Sequence, residues 1–296
     1  MVAQGLVVLL ALLAAVFLAI GIVVRQRATM DVPQELGVSS VMVMTLLRRR
    51  LWWAGTGAAV AGYVFQALAL IKGSLLLVQP ILVSALLFAL PLSARLANRR
   101  VTRGEWMWAM LLTVGLAVFV VLAKTRPGDY EASVPLSALV AVICAGAVVA
   151  CVIVAVRTNG WRRAVVLAVA VGLLFGVVAV LTKIVMYLLS NNGLGAVLTS
   201  PALYLLLLLG VIAVFLQQSA FHAGSLQTSV PTMLVLEPVV AVVLGAVVLG
   251  ENLTVDGVKA VAISVAVVAM AAATIALGRD EGALEEELEA VARGTS

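Results

Sequence analysis

Along this chain, runs of roughly twenty apolar residues alternate with short polar or glycine-rich breaks, from the first residues almost to the last. A helix crossing the hydrocarbon region of a bilayer needs about 20 mostly apolar residues, and the pattern meets that rule about nine times. The expected spans are 2–24, 51–71, 74–94, 105–123, 135–156, 164–189, 201–221, 226–249 and 257–277. Turn-forming groups fall between them: Lys72-Gly73, Arg126-Pro127-Gly128-Asp129, Asn159-Gly160, Asn191-Asn192-Gly193 and Gly250-Glu251-Asn252. The segment before Arg48, VSSVMVMTLL, reads as a short interfacial helix in a long loop. The acidic tail, with Glu285, Glu286, Glu287 and Glu289, reads as a short solvated helix. The fold class predicted is therefore all-α, a polytopic membrane bundle.

Composition strengthens this picture. Of 296 residues, 64% are hydrophobic and 11% charged, against about a quarter charged in soluble domains. The net charge of +5 would fit a nucleic-acid partner only if the cations shared one solvated face. They sit instead in short loops between apolar spans, so the lipid bilayer is the expected partner and nucleic acid is not. Those loops orient the chain. With the N-terminus outside, the inner segments hold fourteen Lys or Arg residues, among them Arg25, Arg48, Arg100, Arg162 and Arg279, and the outer segments hold four. The excess of positive charge inside predicts an outside N-terminus and a cytoplasmic C-terminus in the cytoplasmic (inner) membrane. Arg25 and Arg27 follow the first apolar run, which points to a retained span rather than a signal peptide. Cys144 and Cys151 lie seven residues apart on one span, about 10 Å along the axis, too far to bond each other.

A second pattern lies beneath the first. QALALIKGSLLLVQP at 66–80 and QQSAFHAGSLQTSVP at 217–231 agree at an offset of 151, with Gln66 on Gln217, Gly73-Ser74 on Gly224-Ser225 and Pro80 on Pro231. Five spans fit within one offset. Five is odd, so the second copy threads the membrane in the opposite sense, an arrangement common in secondary transporters. The chain divides accordingly into a five-helix half, 1–156, a four-helix inverted half, 157–278, and the tail 279–296. Pro80, Pro231 and Pro238 each remove a helical donor, and are expected to bend their helices where gates belong.

The run LVLEPVVAVVLGAVVLGENLT at 234–254 resembles the signature near the end of the drug/metabolite transporter (DMT) superfamily, in its EamA-like members. Those have ten helices in two inverted repeats. The odd span count and GSLLLVQPILVSALLFALPLSARL at 73–96 are more similar to the nine-span NIPA-like branch, some of whose members are described as magnesium transporters. The resemblance implies export or exchange of small metabolites, amino acids, drugs or ions.

Two ionisable side chains fall within spans. A carboxylate such as Glu237 costs roughly 2.5–3.5 kcal/mol at mid-bilayer on insertion scales, so it is expected to face a cavity, find a partner or carry a proton. Lys183 either extends to the outer surface or turns inward to neutralise Glu237 or an anionic substrate group. Gln66, Gln79, Gln217 and Gln218 complete the candidate set for substrate and coupling contacts, and His222 reads as an interfacial residue. Gly172 and Gly176 form GxxxG, a close-packing signal. Trp52, Trp53, Trp106 and Trp108, beside arginines, read as interfacial anchors. No catalytic constellation, metal-ligand spacing, nucleotide loop or cofactor motif is present in the sequence, so no enzyme activity, metal or cofactor is expected. The leading expectation is a secondary transporter of small solutes, proton- or ion-coupled. Its alternatives are a NIPA-like divalent-cation pathway and a non-transporting scaffold for envelope or lipid assembly. A homodimer is compatible with each.

Overall fold

In lipid, a backbone without water must bond within itself, and an uncharged run of Leu, Val and Ala does so as α-helix. The computed structural model describes residues 2–30, 48–96, 100–123, 125–126, 134–158, 161–223, 226–253 and 257–292. Its elements are α1 (Val2–Met30), α2 (Arg50–Lys72), α3 (Leu75–Leu82), α4 (Ala85–Leu96), α5 (Arg103–Leu122), β1 (Thr125–Arg126), α6 (Val134–Val156), α7 (Trp161–Thr199), α8 (Pro201–Ala223), α9 (Leu226–Leu249), β2 (Asn252–Leu253) and α10 (Val258–Ala292). Eight spans among the described residues are long and apolar enough to cross a membrane, with α3 and α4 together forming one of them. The seventh expected span is helical as α8. The expected interfacial helix before Arg48 lies outside the described residues. The tail is helical as expected, but α10 carries straight through Gly278 to Ala292 instead of starting a separate helix.

α1 lies along α2 and also packs on α3 and α4; α7 lies along α8 and α9; α5 packs on α10. The periphery is apolar and exposed, as lipid-facing surface must be. On α6, Leu139, Val142, Ile143, Val149 and Ile153 all point outward. The centre is α3, whose residues Leu75, Leu76, Leu77, Val78 and Gln79 are all buried. The GxxxG expectation is met at the α7–α9 crossing: a Cβ on Gly172 would lie 2.8 Å from Leu236 Cβ, and one on Gly176 2.5 Å from Val240 Cγ1. The two cysteines are free, as expected.

α5 starts with a capping box. Thr102 Oγ1 accepts from the Glu105 N–H at 3.2 Å, and the Thr102 N–H donates to Glu105 Oε2 at 2.6 Å. Thr102→Ala removes one half of that exchange and is expected to lower stability by about 1 kcal/mol, read by thermal unfolding in lipid nanodiscs.

All three expected prolines lie within helices. Pro80 sits inside α3, and the helix is interrupted at Val83–Ser84, three residues further on. There the Ser84 N–H donates to Ile81 O and the Leu87 N–H to Ser84 O. The missing donor of Pro80 affects the turn before it and does not account for a break after it; nothing in the structure explains the position. α9 remains a single helix across Pro231 and Pro238. One short antiparallel bridge was not anticipated in an all-α chain: Thr125 pairs with Leu253 and Arg126 with Asn252. It fastens the segment after α5 to the segment after α9.

Candidate functional site at a buried turn between spans

The turn between α2 and α3, at Gly73-Ser74, joins two successive spans and leaves two helix ends buried side by side at one end of the bundle. A helix C-terminus presents unbonded carbonyls with partial negative charge, and an N-terminus presents unbonded N–H groups with partial positive charge. Buried, each end needs a partner. Both partners come from the far half of the chain. Lys183, on α7, donates through Nζ to Leu70 O at 2.6 Å and to Gly73 O at 2.7 Å. Glu251, just past α9, accepts the Leu76 N–H on Oε2 at 3.2 Å. A cation thus caps the carbonyl end and a carboxylate caps the amide end, the arrangement the helix dipoles favour. Lys183 is 3% exposed and Glu251 1% exposed, and the two charges act on each other.

Local sequence explains how Glu251 comes to point inward. Gly250 has φ 67°, the left-handed region that glycine enters at little cost, and the Glu251 N–H donates back to Gly245 O at 3.1 Å. This six-residue closure ends α9 and reverses the chain, so the next side chain runs back along the bundle. Gly245 leaves room for it; a Cβ there would meet Glu251 Oε2 and Leu75 Cβ, each at 3.2 Å. Gly73 is equally confined, since a Cβ would lie 2.5 Å from Val7 Cγ1 and 2.7 Å from Ala69 O.

The capping niche is not saturated. Ser74, the residue preceding α3, ordinarily would turn its hydroxyl onto an amide of the first turn. Here the Leu76 amide is taken by Glu251, and Ser74 Oγ is buried with no partner. Glu251 Oε1 is likewise buried and unpartnered, as are Gln79 Nε2 and Ser84 Oγ at the middle and end of the same segment. Burial pushes the Glu251 carboxyl above the ordinary carboxylate range, while the Leu75 and Leu76 amides and the Lys183 charge pull it back only in part.

Of the residues singled out from sequence, Lys183 takes the inward of its two expected courses, and the charge of Glu251 acts on it. Lys183 reaches the α2–α3 turn near one end of the bundle, whereas Glu237 sits midway along α9. Glu237 is half-buried, and its charge and that of Arg25 both act on Tyr63 of α2. Gln66 is buried on α2, Gln79 on α3, and Gln217 is half-buried on α8; the side chains of Gln218 and His222 lie outside the described residues. Glu251 was missed altogether. Its only signal was a carboxylate inside an otherwise apolar stretch, in a turn where such residues usually meet water.

These features define a multi-pass helical membrane protein with a buried pair of opposite charges at the turn between two of its spans. Within that class, the chain belongs to the same family as "Uncharacterized protein Cgl0250/cg0304" of Corynebacterium glutamicum, to which it is 37% identical over 283 residues, covering 93% of this chain and 95% of the other. No protein-family profile matches the chain, and no solved structure matches it.

Proposed function

We propose that this protein is a secondary transporter of small solutes in the cytoplasmic membrane, with an outside N-terminus, working by alternating access between two inverted halves and related to the DMT superfamily. The observation that carries this reading is the capped turn between α2 and α3: two helix ends buried side by side at one end of the bundle, held by a lysine and a glutamate from the opposite half. Buried helix termini held by opposite charges suit a transport site, because they bind and release charge without rebuilding the fold. The packing supports the duplication. If α1 corresponds to α7, α2 to α8, and α3 with α4 to α9, each trio packs in the same pattern, and α5 meets its counterpart α10 directly. The divalent-cation alternative fares worse at this site, since the Lys183 charge stands beside the carboxylate that would hold the ion. A scaffold would need neither the duplication nor the buried pair.

Glu237 is the proposed substrate contact, half-buried in mid-span with the Tyr63 ring in its field. A metabolite and ion library, read by thermal stabilisation of the purified protein, should yield a ligand. Glu237→Gln is expected to unfold at a temperature close to wild type yet to abolish flux of that ligand in proteoliposomes. Flux equal to wild type would remove Glu237 from the pathway, and a library in which nothing binds or crosses would defeat the transporter reading.

A further inference from the structure

We propose that the Glu251 carboxyl is a proton-binding site, and that its protonation unfastens the end of the bundle at which α2 ends and α3 begins. A buried carboxylate oxygen with no donor is costly to leave so, and Oε1 of Glu251 has none. Adding a proton there makes the group neutral and turns the oxygen into a donor. An acceptor stands at the same helix start: Ser74 Oγ, also buried and also unpartnered. The proton adds to Oε1, and no other covalent bond changes. Lys183 keeps its charge and its hold on the carbonyls of Leu70 and Gly73.

What changes is the attraction across the break. With Glu251 neutral, Lys183 loses the attraction of that carboxylate, and the carboxylate cap on α3 becomes weaker. The groups facing Glu251 are few. α7 supplies Lys183, α3 supplies the Leu75 and Leu76 amides, and α9 supplies the Gly245 carbonyl, which accepts from the Glu251 backbone N–H. Lys72, at the end of α2, is exposed. Among the described residues, then, no second carboxylate acts on Glu251 to share the proton. Movement has an outlet as well. Asn252, the next residue, begins β2, which is paired to β1 after α5, so displacing Glu251 pulls on the bridge joining the two halves at this end. The role of this proton as the coupling ion rests on the transporter reading; the binding of the proton does not.

The test is infrared difference spectroscopy of the full-length protein in lipid nanodiscs during a pH titration, following the carbonyl stretch of protonated carboxyl groups. The expected result is a component that titrates above the ordinary carboxylate range, disappears in Glu251→Gln and persists in Glu237→Gln. A spectrum unchanged by Glu251→Gln overturns the proposal. Should Glu251→Gln not fold, the double variant Lys183→Met with Glu251→Gln, which removes both buried charges, serves in its place with the same expected loss. A second reading uses Leu249→Cys, a buried position beside the turn, with Cys144 and Cys151 replaced by Ser. Labelling by a membrane-impermeant maleimide should rise on acidification, and in Glu251→Gln it should be high at every pH. Labelling that ignores pH in the otherwise native chain overturns the unfastening. Proton uptake by Glu251 in a protein that moves no solute would uphold this site and defeat only the transporter reading.

Discussion

Lys183→Met is expected to destabilise the folded protein by about 3–5 kcal/mol, the cost of leaving one member of a buried charge pair alone. The variant removes the donor to Leu70 O and Gly73 O and leaves a carboxylate that is 1% exposed without its counter-charge. The loss should appear as a large fall in the unfolding midpoint in nanodiscs. Glu251→Gln removes the opposite charge and should also destabilise, though less, because the amide oxygen can still accept the Leu76 N–H. The informative comparison is the double variant. With both charges gone, neither strands the other, so it should be more stable than Lys183→Met alone. A double variant as unstable as the sum of the two single ones would mean that the charges do not act as a pair.

The second large effect is expected at the α7–α9 crossing. Gly176→Leu would place its first carbon 2.5 Å from Val240 Cγ1, 2.6 Å from Val240 Cβ and 3.2 Å from the Ala241 backbone nitrogen. A side-chain tip can rotate away, but the backbone of α9 cannot, so the helices must separate. Overpacking of this kind costs about 1–3 kcal/mol and occasionally more, and a leucine at such a contact should reach the upper end. Because α9 leads directly into Glu251, the shift should also disturb the Lys183–Glu251 cap. Gly146→Leu is the matched control. Nothing lies within 4 Å of a Cβ there, on the exposed helix α6, and the change should be close to neutral. Equal unfolding midpoints for the two leucine variants would contradict the crossing geometry.

How far the sequence foretold these features depends on the range of the interactions involved. Spans and breaks are local, and they emerged where expected: the Gly73-Ser74 break separates α2 from α3, and the Asn191-Asn192-Gly193 turn signal coincides with the left-handed Gly193, φ 79°, inside α7. The GxxxG pair was legible because close helix contact needs small residues at one spacing. Lys183 was legible as a problem, since an ammonium inside a span must be answered by something, yet its partner was not. Nothing near residue 183 in sequence announces a carboxylate that follows a different helix. Glu251 was the harder case. Read locally, Gly250-Glu251-Asn252 is a polar turn between apolar spans; what makes it interior is a hydrogen bond to Leu76, 175 residues away. The polar sites of this protein are non-local, whereas its helices are not.

That separation has a consequence for how the protein is made. A chain entering the membrane from its N-terminus delivers the Gly73-Ser74 break long before either of the groups that satisfy it. The exposed carbonyls of α2 must wait for α7 to bring Lys183, and the amides of α3 must wait longer still, until α9 has been laid in and Gly250 has turned Glu251 back. The early helices therefore spend most of synthesis as an unfinished assembly, and the last turn of the late half completes the first.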